Sequence, residues 1–278
     1  MIGELVSGRY RIKSRIGSGG AGDVYLAEDT ELPRQIALKF LSEAWEDDRH
    51  LRERFLRETE ALSALDHPHI CTIYEAGESE RGHLYIAMAY YEGENLRTRL
   101  AHGALAPAEA ASIAIAIADG MEKAHRKGFL HRDLKPGNVV ITDDGVVKIL
   151  DFGLVRSPDR TQLTQTGVAM GTLAYAAPEQ IRGERLDARS DVYALGVILY
   201  QMLSGKCPFS APGAAATISM VLNETPEPLS ETNPELPKAL TDLVARCMSK
   251  KRRHRPGTMA EVRDMLIEVL AELSPTSA

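Results

Sequence analysis

The chain has 278 residues, 44% hydrophobic and 26% charged, ordinary proportions for a folded protein of one large domain or two lobes. Its 33 basic and 39 acidic side chains leave a net charge of −6, which excludes a surface built mainly for nucleic acid or an anionic bilayer. Cys71, Cys207 and Cys247 stand far apart, with no CxxC and no His at ligand spacing, which excludes a disulfide framework or zinc site and predicts core thiols in a reducing compartment.

Segments 10–19 (YRIKSRIGSG), 22–29 (GDVYLAED) and 35–41 (QIALKFL) alternate like strands, and 49–65 has apolar side chains at helical spacing. Two further strands are predicted over 70–78 and 83–91. From residue 107 the pattern turns helical. Pro107 and Gly128 bound one helix, Ser190 as N-cap and Gly205 as stop bound another, and helices are predicted over 213–223, 238–249 and 258–273. A strand-rich first third before a helix-rich remainder predicts an α+β chain in two lobes, joined near AYYEGENL, where Gly93 is read as loosening the chain. The final SPTSA reads as disordered. No stretch approaches the roughly 20 apolar residues of a membrane span, and no leader opens the chain, so the chain as given is expected in the cytoplasm.

The densest chemistry lies in HRDLKPGN, residues 131–138, set between Phe129 and Leu130 on one side and Val139, Val140 and Ile141 on the other. A polar run between apolar anchors is expected to form a loop gripped at both ends. IGSGGAGDVY holds Gly17-x-Gly19-x-x-Gly22, whose backbone N–H groups can approach a phosphate, with Val24 placed for a flat apolar ligand. The bland alternative is a glycine-rich hairpin turn. A dinucleotide site needs a helix after the glycines, and here a strand follows. IALK puts Lys39 on a strand, its stem packed by Ile36, Leu38 and Phe40, although a strand lysine is commonly just surface. Glu58, on the helix that follows, is placed to neutralise it. KKRRHR, residues 250–255, is a candidate nuclear address or nucleic-acid patch, but the acidic whole favours a solvated loop with a structural Arg255.

In chain order, Gly17-x-Gly19-x-x-Gly22, the IALK lysine, HRDLKPGN, DFG at 151–153 and APE at 177–179 make the chain resemble the eukaryotic-like Ser/Thr protein kinases over residues 8–272. The resemblance implies a two-lobed protein kinase fold: a small β-rich N-lobe with one main helix (1–88), a hinge (89–95), a larger, mostly α-helical C-lobe (96–272) and a disordered tail (273–278). It implies that Asp133 accepts or orients the proton of a substrate hydroxyl and that Lys135 steadies the transferring γ-phosphoryl. Asn138 and Asp151 would hold Mg²⁺, with Mn²⁺ as a substitute, and Lys39 with Glu58 would place the ATP phosphates. The rest of the ATP site is implied at Gly17, Gly19, Gly22, Val24, Ala37, Met88 as gatekeeper, Ala89 and Tyr91, the adenine being read by backbone groups. His131 corresponds to a packed internal residue, Asp191 to an aspartate gripping the catalytic-loop backbone, and Glu179 with Arg255 to a buried ion pair.

Two positions depart from the family pattern. Ala89 stands where many relatives carry an acid, which leaves backbone reading of adenine intact. Gly137 stands where some basic-directed kinases have glutamate, so a strong preference for arginine before the target residue is not implied. Lys135 and Thr172, in GTLAY, resemble the Ser/Thr branch. ETEALSALDHPHI, AMAYYEGENL and APEQIRGE are most similar to bacterial receptor-type members, which implies a membrane anchor in the full-length protein.

The expected function is transfer of the γ-phosphoryl of ATP to Ser/Thr hydroxyls of proteins, with no nucleic acid partner. Autophosphorylation is expected at Thr164 and Thr166, whose phosphates would meet Arg54, Arg132 and Arg156, with self-association allowing reaction between copies. A catalytically dead scaffold would usually have lost Lys39, Asp133, Asn138 or Asp151, and all four are present. A small-molecule kinase is disfavoured by the APE segment and the long loop before it.

Overall fold

The computed structural model describes residues 1–19, 22–41, 49–152 and 170–273. These divide into two compact units, Met1–Asp66 with Ile70–Glu92, and His67–His69 with 93–152 and 170–273.

In the first unit, strands β1 (Leu5–Val6), β2 (Tyr10–Gly19), β3 (Gly22–Asp29), β4 (Arg34–Phe40), β5 (Ile73–Glu78) and β6 (Leu84–Ala89) form an antiparallel sheet in the order β1-β2-β3-β4-β6-β5. Helix α1 (Arg49–Ser63) lies between β4 and β5 in the chain. Alternation along the strands sends Ile36, Leu38 and Phe40 to one face, where they meet Tyr10, Ile12, Tyr25, Ala27, Tyr85 and Ala87. Tyr25 and Phe40 pack edge to face with ring centroids 5.8 Å apart. Each large side chain buried in this way contributes roughly 1.5–3 kcal/mol, so burial of this face is what holds the sheet. The turn between β3 and β4 is fastened by the buried Asp29, which accepts from Arg9 at 2.9 and 2.8 Å and from Arg34 at 3.0 Å. The Arg9 hydrogen bonds hold its carboxyl far below the usual carboxylate range despite burial.

The second unit carries a three-stranded antiparallel sheet, β7 (Gly93–Asn95), β8 (Val139–Thr142) and β9 (Val147–Ile149). Around it lie α2 (Leu96–Leu100), α3 (Pro107–Arg126), α4 (Met170–Leu173), α5 (Pro178–Arg182), α6 (Ala188–Ser204), α7 (Ala214–Asn223), α8 (Leu229–Thr232), α9 (Lys238–Cys247) and α10 (Met259–Leu273). Helix α3 starts on Pro107, whose missing N–H costs nothing there, and stops before Gly128 at φ 83°. Helix α6 buries every residue from Ser190 to Tyr200, as an apolar pattern all round a helix requires. No helix among the described residues is long and apolar enough to cross a membrane.

Three local expectations are corrected. The N-cap of α6 is Asp187, whose carboxylate accepts from the Arg189 N–H at 2.9 Å, and the Ser190 hydroxyl instead donates to Glu179 at 2.8 Å. Gly93 does not loosen the chain: at φ 142° a Cβ there would lie 2.2 Å from the Ile141 carbonyl oxygen, so it is where β7 presses onto β8. The anchors of the 131–138 loop are also less uniform than expected, with Val139 buried but Phe129, Leu130, Val140 and Ile141 half-buried.

Half of the basic run 250–255 is absorbed by the fold. Arg255 is buried, Arg252 donates to the Arg185 carbonyl and to Glu184, and the Lys250 ammonium sits 3.9 Å from the Phe209 ring centroid. Burial, reinforced by Arg255, pushes the Lys250 pKa down to about 8. Lys251, Arg253 and His254 remain exposed.

Candidate active site

The six-stranded sheet has a second face. Gly17↔Val24, Val24↔Lys39 and Lys39↔Ile86 are cross-strand partners, as are Leu26↔Ala37 and Ala37↔Met88. A period of two therefore lines Val24, Ala37, Lys39, Ile86 and Met88 along the face opposite the aromatic core. Lys39 is buried there, with Val24 and Ile86 as its cross-strand neighbours, and not against Ile36, Leu38 and Phe40 as the sequence reading expected, because alternation sends those three to the other face. Of the three glycines, only Gly22 is demanded by the fold, since at φ 123° a Cβ would fall 1.8 Å from the Phe40 carbonyl oxygen. At Gly17 a Cβ would meet the Val24 side chain at an ordinary 3.6 Å, and at Gly19 it would meet nothing within 4 Å. The space left at these two positions suits a phosphate approached closely by backbone N–H groups.

Ala89, at the end of β6, donates its N–H to the Thr72 carbonyl at 2.9 Å, and the Tyr91 hydroxyl accepts from the Thr72 N–H at 3.2 Å. Glu58 pairs along its own helix with Arg54, Nε to Oε1 3.6 Å. An i,i+4 neighbour on α1 is within reach whatever the sheet does.

In the second unit, a hairpin brings together residues far apart in sequence. Val139↔Ile149, Val140↔Lys148 and Ile141↔Val147 pair across β8 and β9, so Asn138 just before β8 lies opposite Leu150 just after β9. The Leu150 N–H donates to the Asn138 carbonyl at 2.8 Å. The hairpin thereby sets Asp151 beside the 131–138 loop. The signal was in TDDGV, a turn sequence between two apolar runs, which closes on Gly145 at φ 82°.

Within the loop, the Lys135 ammonium donates to Asp133 Oδ2 at 2.7 Å and to Thr172 Oγ1 at 3.1 Å. Asn138 Nδ2 donates to the Asp133 carbonyl at 2.9 Å and to Asp133 Oδ2 at 3.3 Å. Both of these partners are acceptors, which fixes the amide orientation and turns Asn138 Oδ1 away from Asp133. A hard divalent cation is held by one or two protein oxygens together with phosphates, and Asn138 Oδ1 with the Asp151 carboxylate is such a donor set.

Beneath the loop, the His131 ring is fully buried. Its Nδ1 accepts from the Asp133 N–H at 3.3 Å, so its Nε2 carries the proton donated to the Leu150 carbonyl at 2.9 Å. Burial pushes its pKa down and keeps it neutral, and Phe152 packs on it with centroids 4.9 Å apart. His131 is therefore a packed internal residue. Asp191, from α6, accepts from the His131 N–H at 2.9 Å, the Arg132 N–H at 3.0 Å and His125 Nε2 at 2.8 Å. Burial alone would raise the Asp191 pKa, but the His125 hydrogen bond and the other donors outweigh it and hold the group ionised. Glu179 and Arg255 form a bidentate pair at 2.7 and 2.9 Å, with both side chains at most 2% exposed.

One residue escaped the sequence reading. Gln180 donates from Nε2 to the Arg132 carbonyl at 2.9 Å and accepts at Oε1 from the Ala177 N–H at 2.8 Å. Nothing in sequence links positions 48 apart. Arg156, Thr164 and Thr166, with Gly153 of DFG, lie outside the described residues.

The family model described as a protein kinase domain matches residues 10–267. The probable serine/threonine-protein kinase PknB of Bifidobacterium longum is 36% identical over 99% of this chain and 41% of its own length. The serine/threonine-protein kinase PrkC of Bacillus subtilis is 37% identical over 94% of this chain and 40% of its own. The chain thus spans about two fifths of these relatives. Among solved structures, the PknI kinase domain of Mycobacterium tuberculosis superposes with a TM-score of 0.77 at 31% identity, covering 97% of this chain and 99% of that one. The chain belongs to the protein kinase family, a family that uses ATP and a divalent metal.

Proposed function

We propose that Asp133 is the group that receives the acceptor hydroxyl and that the protein phosphorylates Ser and Thr side chains of proteins. The observation that carries this reading is the Lys135 ammonium joining Asp133 Oδ2 to Thr172 Oγ1, a fixed arrangement of acceptor, cation and hydroxyl in one place. Asp133 orients the incoming hydroxyl and takes its proton. Lys135 meets the negative charge on the transferring phosphoryl. Asn138 Oδ1 and Asp151 hold the metal, for which Mg²⁺ is proposed, and when bound it neutralises phosphate charge. Lys39 holds the phosphates, with Glu58 as its proposed partner in the working state. Gly17, Gly19 and Gly22 offer backbone N–H groups, and Val24, Ala37 and Met88 lie on the adenine, with Ala89 and Tyr91 reading it through the backbone. In domain terms, 1–88 is the N-lobe, 89–95 the hinge, 96–272 the C-lobe and 273–278 a tail.

Thr172 and Lys135 would shape a shallow cleft that brings a short hydroxyl side chain to Asp133 and holds a phenol too far out. Matched peptides differing only in Ser, Thr or Tyr at the acceptor, with ATP and Mg²⁺, will show incorporation into Ser and Thr at rates at least about tenfold above Tyr. Equal rates for Tyr would sink the assignment.

The proposal extends to Thr164 and Thr166. Each phosphate would carry roughly −1.5 to −2 charges and form charge-assisted hydrogen bonds with Arg54, Arg132 and Arg156, as the resemblance implies. Mass spectrometry after incubation with ATP and Mg²⁺ is expected to find phosphate at one or both, with an initial rate per molecule that rises with protein concentration if copies react with one another. A Thr164→Ala/Thr166→Ala protein with unchanged peptide turnover would remove the role of these threonines.

A further inference from the structure

We propose that Gln180 is a positioning residue for phosphoryl transfer, holding the peptide between Arg132 and Asp133 in the orientation that presents Asp133. This rests on the kinase reading of the same site. Arg132 has φ 62°, a left-handed conformation that a residue with a Cβ keeps only where its surroundings over-determine it. Its N–H is held by Asp191 Oδ1 at 3.0 Å. Its carbonyl is held from α5 by Gln180 Nε2 at 2.9 Å.

That carbonyl and the Asp133 N–H belong to one rigid peptide plane. Turning the carbonyl would turn the Asp133 N–H off His131 Nδ1, to which it donates at 3.3 Å, and would swing the bond on which the Asp133 side chain hangs. Gln180 therefore grips a plane that Asp191 does not hold, since Asp191 accepts from the N–H groups of His131 and Arg132, two peptides and one peptide earlier.

The grip is stiff because Gln180 is held at its other end. Its Oε1 accepts from the Ala177 N–H at 2.8 Å, which fixes the amide orientation and leaves Nε2 as the donor. The neighbouring Glu179 is locked to Arg255, so α5 has no freedom to carry Gln180 away. Only a side chain with a donor and an acceptor at this reach satisfies both contacts. A carboxylate would set an acceptor against the Arg132 carbonyl, whereas a protonated carboxyl would restore the donor.

This contrast supplies the test. Gln180→Met keeps the length and loses both hydrogen bonds, and is expected to lower kcat about tenfold with KM for ATP and peptide within about twofold of wild type. Gln180→Glu is expected to show the same loss at about pH 8 and to recover relative to wild type toward about pH 6, because a carboxyl facing a carbonyl oxygen keeps its proton more readily than a free one. The Gln180→Met ratio stays flat over that range. In ¹⁵N-labelled Gln180→Glu, the Asp133 amide resonance moves with the same midpoint. Wild-type kcat in Gln180→Met overturns the proposal, as does a flat pH ratio in Gln180→Glu with an unmoved Asp133 amide. If wild-type protein transfers no phosphate, the kinase reading fails separately, and the Asp133 amide still decides whether Gln180 holds that peptide.

Discussion

Asp133→Asn will bind ATP as wild type does and transfer phosphoryl roughly 10²- to 10⁴-fold more slowly, the range spanned by positioned proton acceptors. Asn keeps the shape of the side chain and still offers an oxygen to the Lys135 ammonium, so the loop is retained. What it loses is the negative charge and the capacity to take a proton. The residues proposed for the adenine, Val24, Ala37 and Met88, belong to the first unit and are not altered by the substitution. Calorimetry for ATP affinity and single-turnover kinetics for the chemical step separate the two effects. Turnover close to wild type would take Asp133 out of the catalytic role.

Arg255→Met is the substitution expected to cost most in stability, about 3–5 kcal/mol, because it leaves the Glu179 carboxylate buried without its cation. The Ser190 hydroxyl at 2.8 Å remains, but one neutral donor does not replace a bidentate guanidinium. The Ser249 and Arg189 carbonyls also lose donors at 2.7 and 2.9 Å. Urea unfolding read by circular dichroism measures the loss, and a cost below about 1 kcal/mol would mean that the pair is dispensable. Replacing both partners with apolar side chains of similar volume should recover much of it, since no lone charge is then left inside. The pair also sets an acid limit. Burial would raise the Glu179 pKa, but Arg255 outweighs it and the folded value lies below the ordinary 4.5. The contribution of Glu179 is therefore complete above about pH 4.5 and is lost as pH falls through the folded value.

Local patterns made much of this protein readable from its sequence. The alternation of QIALKFL marked the strand that carries Lys39, although Ile36, Leu38 and Phe40 pack the face opposite Lys39 and not its stem, and Pro107 with Gly128 brackets α3 closely. Features decided by tertiary contact were harder. Ser190 and Asp187 are both good caps, and which one caps α6 depends on Glu179 drawing the Ser190 hydroxyl away. Gly93 looks like any flexible glycine until the Ile141 carbonyl is placed beside it. The motifs named Asp133 and Asp151, but the β8–β9 hairpin that sets Asp151 beside the loop rests on a register, and the Arg54–Glu58 pair rests on rotamers. Gln180 had no local mark at all, because an exposed-looking glutamine at the start of a short helix is unremarkable in sequence.

The grip of Asp191 on the loop also orders events in time. The hydrogen bond to His131 spans 60 positions, and closing so long a loop precedes any gain from the contact. During synthesis, HRDLKPGN and DFG leave the ribosome well before α6 does. A nascent chain at that stage owns Asp133, Lys135, Asn138 and Asp151 and none of their geometry. Asp191 grips the loop only once α6 has docked, so on the proposed function a partly made molecule would hold its reactive groups without being able to use them on its neighbours.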